Sequence, residues 1–179
     1  MSVAAGRAAP QLSEPELAAW RAMLRGHAAL VKALDAELEQ VHGLPLSSYE
    51  VLLTLDTAPS RRMRMCDLAE SVLLSRSGLT RLVDRLERDG FVARDSCRDD
   101  ARGSFAVLTD LGSQKLLDAR VTHIDGVRRH FLSRYSPAEL DQLGELLARI
   151  VGERRGGGGF AAPRGSALGG VGAPARERR

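Results

Sequence analysis

Arginine and hydroxyl side chains are concentrated in the segment Ser75–Arg88, at a spacing that suits contact with a DNA duplex. An arginine guanidinium can donate two parallel hydrogen bonds to guanine O6 and N7. At 100° per residue, one side of a helix here carries Leu79, Leu82, Val83 and Leu86. The opposite side carries Ser77, Arg81, Asp84 and Arg88, with Thr80 beside them and Arg76 and Arg85 on the flanks. The spacing therefore predicts an amphipathic helix with a polar side suited to nucleic acid.

The residues before this helix predict a shorter helix that crosses it. Ala69, within the segment Cys66–Leu73, is small enough for two helices to approach closely, and Ser75 is a typical N-cap residue. In a helix-turn-helix, the N-terminal part of the second helix enters the major groove. The candidates for base edges and adjacent phosphates are Ser75, Arg76, Ser77, Thr80 and Arg81, with Arg85 one turn further on for phosphate.

Asp84 is an awkward residue on this side of the helix, because a bare carboxylate would repel phosphate. Arg81 and Arg88, three and four residues away, are expected to neutralise its charge. The alternative is a solvated helix that carries ordinary ion pairs one turn apart. The helix alone does not separate the two interpretations.

A predicted hairpin after the second helix favours DNA binding. Two strand patterns, Phe91–Asp95 and Ser104–Thr109, flank the polar turn Ser96–Gly103. Three arginines bracket this turn: Arg94, Arg98 and Arg102. Arginine at such a tip can enter a narrow minor groove, and Asp99 or Asp100 could hold the Arg102 guanidinium in one orientation. A solvated turn is the alternative.

Longer helices are predicted on both sides of this lobe. A capping box at Ser13–Glu16 opens the first, which ends near His42-Gly43. It carries an apolar seam at steps of three and four: Leu17, Trp20, Leu24, His27, Val31, Leu34, Leu38 and Val41. A second capping box, Ser47–Glu50, is predicted to open a helix that stops before Pro59.

The C-terminal part of the folded block predicts two more helices. Thr109–Leu132 forms a long helix with five residues expected to point inward: Leu116, Leu117, Ile124, Val127 and Phe131. A third capping box, Ser136–Glu139, opens a helix with Leu140, Leu143, Leu147 and Ile150 at seam spacing. The terminal helices have no obvious partner in so small a lobe, so a second copy is expected to cover Leu17, Trp20, Leu24, Leu140, Leu143, Leu147 and Ile150. Packing within one chain is the alternative.

The segment Leu68–Gly90, followed by Asp100-Ala101-Arg102 and Val107-Leu108-Thr109-Asp110-Leu111-Gly112, resembles the MarR family of bacterial regulators. The resemblance covers roughly residues 12–154. It implies a mainly α fold with a small β-hairpin wing, a winged helix-turn-helix with N- and C-terminal dimerisation helices. It also implies that Ser75, Arg76, Ser77, Thr80, Arg81 and Arg85 match recognition-helix positions, and that Asp100 and Arg102 match the wing motif. One departure is the turn Val72–Leu74, where many members have glycine.

Composition indicates which parts of the chain are expected to fold and which are not. Residues 155–179 hold five arginines and one glutamate, so the net charge of +3 on 179 residues is poor support for DNA binding by itself. We expect disorder in residues 1–11 and in the basic tail 155–179, and a folded domain over 12–154. Within that domain we expect a DNA-binding lobe at 46–109 and dimerisation helices at 12–43 and 110–154. No apolar run approaches about 20 residues, which favours a cytoplasmic protein without a membrane partner.

The expected function is sequence-specific binding of double-stranded DNA by a homodimer, as a repressor of a palindromic operator that a small molecule releases. The alternative is a winged-helix module for protein interaction or dimerisation. Catalytic, cofactor and metal sites are not expected, because no nucleophile, phosphate loop or carboxylate pair is clustered in the sequence. Histidine pairs on neighbouring helices, His27 with His42 and His123 with His130, and the wing thiol Cys97 are weaker candidates for metal or redox sensing.

Overall fold

The computed structural model of the protein describes residues 11–96 and 104–151. Over these ranges the helices are α1 Glu14–His42, α2 Leu46–Thr57, α3 Met65–Ser71, α4 Arg76–Arg88, α5 Asp110–His130 and α6 Pro137–Val151. The strands are β1 Arg62–Arg64, β2 Val92–Ser96 and β3 Ser104–Leu108, and short 3-10 turns lie at Pro59–Arg61 and Leu132–Arg134. The predicted fold class, mainly α with a small wing, is confirmed.

Two of the three predicted capping boxes are confirmed. The carboxylate of Glu16 accepts a hydrogen bond of 2.7 Å from the backbone N–H of Ser13 at the start of α1. The carboxylate of Glu139 accepts one of 2.8 Å from the backbone N–H of Ser136 at the start of α6. In both cases the helix begins where a glutamate three residues further on accepts a hydrogen bond from the backbone N–H of the serine.

The predicted capping box at Ser47–Glu50 is wrong. Helix α2 begins earlier, at Leu46, and no side chain of its N-cap residue caps it. The backbone N–H of Leu46 instead donates to Asp35 of α1 at 2.8 Å. A carboxylate eleven residues upstream therefore takes the role expected of Ser47, and the hydroxyl of Ser48 is left for a different contact described below.

The sheet has one strand more than the predicted hairpin. Its order is β1-β3-β2, and both pairs are antiparallel. Arg62 of β1 pairs with Val107, and Val92 of β2 pairs with Leu108. The extra strand joins the wing to the chain just before α3, so both helices of the helix-turn-helix are attached to one sheet.

The core lies beneath the helix-turn-helix and is built largely from leucine and valine. Helix α2 runs through its centre, with Val51, Leu52 and Leu55 fully buried. Helices α3 and α4 pack over it through Leu68, Leu79, Val83 and Leu86. Buried residues of α1 and α5 close the other side: Leu34, Leu38, Leu116 and Ala119.

The predicted seam of α1 divides into two parts. Leu34 and Leu38 are buried in the core of the same chain, whereas Trp20, Leu24 and Val31 are 51%, 47% and 39% exposed. Val41, at the end of the seam, is 63% exposed. Packing within the chain therefore accounts for the middle of the seam and leaves its N-terminal half uncovered.

The expectation for α5 is partly wrong. Leu116 is buried, and Val127 and Phe131 are partly buried. Leu117 and Ile124, which were expected to point inward, are 53% and 38% exposed in the protomer. The helix touches α1 and α2 along only one stripe, so residues beside that stripe stay at the surface.

Candidate nucleic-acid interface

Helix α4 presents a polar surface above the buried stripe that fixes it. Ser75 is its N-cap, and the Ser75 hydroxyl accepts a hydrogen bond of 3.1 Å from the backbone N–H of Gly78. The stripe Leu79, Leu82, Val83 and Leu86 is buried as predicted. Five of the predicted contact residues lie exposed together on the first two turns: Ser75, Arg76, Ser77, Thr80 and Arg81.

The hydroxyl groups on this surface are ordered by local hydrogen bonds. Thr80 Oγ1 donates to the backbone carbonyl of Arg76 at 2.9 Å, and the Oγ atoms of Ser75 and Ser77 are 3.3 Å apart. Within residues 11–96 and 104–151, no acidic side chain lies in ion-pair range of Arg76 or Arg81. These two guanidinium groups are available to an anionic partner.

Arg85 has a different environment, although it too is exposed. Its Nη2 donates to Ser48 Oγ at 3.0 Å, and Ser48 is 1% exposed. This bond ties α4 to the start of α2. A cleft of about 280 Å³ lies between the two helices, lined by Ser47, Leu74, Gly78, Arg81, Leu82 and Arg85. The cleft gives the polar surface a concave, positively charged edge.

The turn between α3 and α4 has leucine in a conformation that suits the glycine suggested by the MarR resemblance. Leu73 has φ 54°, in the left-handed region, and its side chain is 92% exposed. Leu74 N–H then donates to the Ala69 carbonyl at 3.0 Å and closes the turn. The turn keeps a conformation that favours glycine, and leucine occupies it at a cost in backbone strain.

Asp84 is neutralised by a residue other than the two expected. Arg94 of β2 reaches it with Nη2 at 2.5 Å from Oδ1. Arg88 contacts only the backbone carbonyl of Asp84, from Nε at 3.3 Å. Arg94, one of the three arginines that bracket the predicted wing turn, is held against α4 by Asp84 and Glu87.

The base of the wing has a second arginine that the sequence did not single out. Arg62 of β1 pairs with Asp95 of β2 at 3.1 Å, across the intervening strand β3. On the way its guanidinium lies 3.9 Å from the centre of the Phe105 ring. Arg62 therefore bridges all three strands. The only sequence signal for the role of Arg62 was the alternation of basic residues in Arg62-Met63-Arg64.

The wing tip lies outside the described residues. This applies to three predicted contact residues and to the predicted redox candidate: Arg98, Asp100, Arg102 and Cys97. Their roles stay predictions. The described parts of β2 and β3 end with Ser96 paired to Ser104.

Comparison with known proteins decides the family. The model of the MarR family matches residues 44–104. The homoprotocatechuate degradative operon repressor of Escherichia coli is 30% identical over 129 residues, which cover 69% of this chain and 85% of that protein. The HTH-type transcriptional regulator YkoM of Bacillus subtilis is 33% identical over 108 residues, covering 60% of this chain and 68% of YkoM. The chain belongs to the MarR family.

A solved structure of the family supports the same assignment. Sco3205, a MarR family regulator from Streptomyces coelicolor crystallised in complex with DNA, matches with a TM-score of 0.74 and 38% identity. The match covers 79% of this chain and 91% of Sco3205. MarR proteins are transcriptional regulators rather than enzymes.

The Leu-Thr and glycine of the MarR resemblance have a structural reason. Thr109 is the N-cap of α5, and its hydroxyl oxygen accepts a hydrogen bond of 3.0 Å from the backbone N–H of Gly112. The same hydroxyl donates to the carbonyl of Gly90, at the end of α4, at 2.7 Å. One side chain thus fixes the recognition helix, the sheet and α5 in one arrangement.

The predicted dimerisation residues lie at the surface of the protomer. Trp20, Leu24, Leu147 and Ile150 are exposed, with Ile150 at 69%. Leu17, Leu140 and Leu143 are half-buried. Among the described residues of α6, none is buried. The N-terminal half of the α1 seam and the apolar side of α6 are therefore largely uncovered in the single chain.

The histidines that were weaker candidates for a metal site make other contacts. His42 Nε2 lies 2.8 Å from Thr122 Oγ1, and His130 Nε2 lies 2.7 Å from Glu37 Oε1. The ring of His123 packs on Tyr49, with 4.5 Å between ring centres, and burial lowers the pKa of His123. In the described part of the chain, no three histidine, cysteine or acidic side chains converge as a metal site would need.

None of the helices in residues 11–96 and 104–151 has the length and apolar character required to cross a bilayer.

Proposed function

We propose that the protein is a homodimeric transcriptional repressor that binds a palindromic operator through α4 and the wing. The observation that carries the proposal is the pair of free guanidinium groups, Arg76 and Arg81, on the exposed N-terminal turns of α4. Arginine in that position of a helix-turn-helix faces base edges and phosphates in the major groove. Sco3205, which matches over most of this chain, is a protein whose structure contains DNA.

Each predicted contact has a proposed role. Arg76, Ser77 and Arg81 contact base edges, and Ser75 and Thr80 contact the flanking backbone. Arg85 contacts a phosphate at the edge of the cleft between α2 and α4, where its guanidinium is already held by Ser48. At the wing, Arg98 and Arg102 enter the minor groove and Asp99 or Asp100 orients Arg102, as the sequence predicts.

A second copy of the chain covers the exposed sides of α1 and α6. Trp20 and Ile150 are large apolar residues with about half or more of their surface in solvent. Burying both sides against a second copy removes this apolar surface from water. The dimer also gives the two-fold symmetry that a palindromic operator requires.

A small molecule is the proposed signal that releases the DNA. The resemblance to the MarR family implies such a ligand, and one relative is named as the repressor of an operon for homoprotocatechuate degradation. The chemical class proposed for the ligand is therefore an aromatic acid or a phenol. The protein acts in the cytoplasm, where operator DNA lies.

The test for DNA binding is a gel-shift titration with the DNA upstream of the protein's own gene. The complex should persist in excess nonspecific duplex and weaken steeply as salt rises, because phosphate contacts release counterions. A shift that disappears with competitor would favour the protein-interaction alternative. Repeating the assay with a panel of aromatic acids and phenols tests the ligand: at least one should release the DNA.

The test for the dimer is sedimentation of the full chain at several concentrations. The wild type should sediment as a dimer, and Trp20→Glu together with Ile150→Glu should give a folded monomer, because a buried charge without a partner is costly. Exposed Leu73, on the turn before α4, supplies the control, since Leu73→Glu should leave the dimer intact. A wild-type monomer at all concentrations would contradict the dimer.

A further inference from the structure

Arg94 lies under the DNA-binding surface in a position that DNA contact alone does not explain. It belongs to β2, yet all the contacts described for its guanidinium are on α4. Nη2 lies 2.5 Å from Asp84 Oδ1 and donates to the backbone carbonyl of Thr80 at 3.4 Å. Nη1 lies 3.6 Å from Glu87 Oε2. Thr80, Asp84 and Glu87 are spaced at four and three residues, so they share one side of the helix.

Asp84 would oppose DNA binding if its charge were uncovered. It is one turn, about 6 Å along the axis, from Thr80, which belongs to the surface proposed to face DNA. Its side chain is 45% exposed even with Arg94 in place. A carboxylate at the edge of this surface repels phosphate, and in the described contacts Arg88 of the same helix bonds to the Asp84 backbone carbonyl rather than to its carboxylate.

We propose that Arg94 is a positioning residue for DNA binding that acts through Asp84. It pairs with the Asp84 carboxylate and so neutralises a negative charge at the edge of the DNA-binding surface, without contacting DNA itself. This inference rests on the proposed function.

The backbone supports this role for Arg94. The N–H of Arg94 donates to Glu87 Oε1 at 3.2 Å, so the strand itself is hydrogen-bonded to α4. The next residue, Asp95, points to the other side of the strand and pairs with Arg62. Arg94 is thus held between the helix and the sheet by its backbone N–H and by its guanidinium, and both contacts are with α4.

The experiment is a cycle of four full-length proteins: wild type, Arg94→Met, Asp84→Asn and the double variant. Each is titrated by fluorescence anisotropy with a duplex that the wild type has selected from a randomised library. Methionine keeps the apolar stem of arginine, and asparagine keeps the shape of aspartate. Urea unfolding of each protein shows that it is folded.

Arg94→Met should weaken binding by about tenfold, because it exposes the Asp84 carboxylate to phosphate. The double variant should return to within about threefold of the wild type, with the remaining loss due to Glu87, which also loses its partner. The ion pair is broken in both proteins. A purely structural role for the pair would therefore leave the double variant as weak as Arg94→Met.

Two results would overturn the inference: unchanged binding by Arg94→Met, or no recovery in the double variant. The second would mean either that Arg94 contacts DNA directly or that the ion pair acts only by holding the fold. Asp125 and Arg128 of α5, an exposed pair at 3.2 Å, provide the matched control, and Arg128→Met should not change affinity. If the wild type fails to prefer its selected duplex over nonspecific DNA, the proposed function itself fails and this inference with it.

Discussion

Gly112 of α5 lies so close to Phe91 that a Cβ at this position would overlap the backbone carbonyl of Phe91. The same Cβ would lie 2.8 Å from Leu108 Cδ1. Because the Phe91 carbonyl is backbone that is fixed by the end of α4, it cannot move aside as a flexible side chain can. The close approach lets α5 start directly against the base of the sheet.

Gly112→Ala should therefore lower the free energy of unfolding by about 3 kcal/mol, the cost of overpacking a close backbone contact. Urea unfolding at equilibrium measures it. Gly26→Ala is the matched control, since a Cβ at this helical position of α1 meets nothing within 4 Å. The free energy of unfolding of Gly26→Ala should rise by about 1 kcal/mol, because alanine has a higher helix propensity than glycine. Equal stability of the two variants would contradict the packing described for Gly112.

The contact between Arg85 and Ser48 predicts a smaller effect. Ser48→Ala removes the buried hydroxyl that accepts from Arg85, and the free energy of unfolding should fall by about 1 kcal/mol. Ser133→Ala, which removes an exposed hydroxyl bonded to the Arg129 carbonyl, should change it by less than about 0.5 kcal/mol. If the two variants are equally stable, the bond to Arg85 does not contribute to the fold.

The turn at Leu73 predicts a gain in stability from a smaller residue. Leu73→Gly should raise the free energy of unfolding by about 1 kcal/mol, because glycine adopts the left-handed conformation without the Cβ clash. Leu74→Gly, next to it but half-buried and with negative φ, should be destabilising. Thermal unfolding of both variants gives the comparison. Destabilisation by Leu73→Gly would mean that its exposed side chain makes a contact that stabilises the fold.

His123 predicts a dependence of stability on pH. Burial lowers its pKa from the ordinary 6.5, so the unfolded chain binds a proton more readily than the folded chain. The stability from neutral His123 is complete above pH 6.5 and is lost as the pH falls from 6.5 towards the lowered folded pKa, at up to about 1.4 kcal/mol per pH unit.

His123→Phe keeps a ring against Tyr49 and removes the titration. Burial raises the pKa of Glu50, which opposes folding as the pH rises above 4.5, but this contribution is common to both proteins. The difference in unfolding free energy between wild type and variant, followed downwards from pH 6.5, isolates His123. Parallel curves for the two proteins would exclude the predicted titration.

The sequence predicted the recognition helix well because its signals are local. Ser75 caps the helix three residues before Gly78, and Leu79 to Leu86 repeat within two turns. The exposure of Ser75, Arg76, Ser77, Thr80 and Arg81 follows from that repeat alone. Their contacts with DNA stay predictions, because exposure is all that helical spacing determines.

Contacts between distant segments were not predictable in the same way. Strand β1 has three residues and exists because Arg62 pairs with Val107, far along the chain. Asp84 was assigned to neighbours on its own helix, yet a strand residue, Arg94, neutralises it. Apolar spacing on α1 likewise shows a stripe without showing which part of it the chain itself covers.

The central claim, that α4 binds DNA through its free arginines, is tested most directly by Arg81→Ala. The variant should fold and sediment like the wild type but lose at least about tenfold in affinity for the selected duplex, given the value of one good arginine–guanine pair. The matched control is Arg128→Ala. Arg128 lies about 27 Å along α5 from the start of that helix, so this variant should bind as the wild type does. Binding of the Arg81→Ala variant with wild-type affinity and salt dependence would contradict the account.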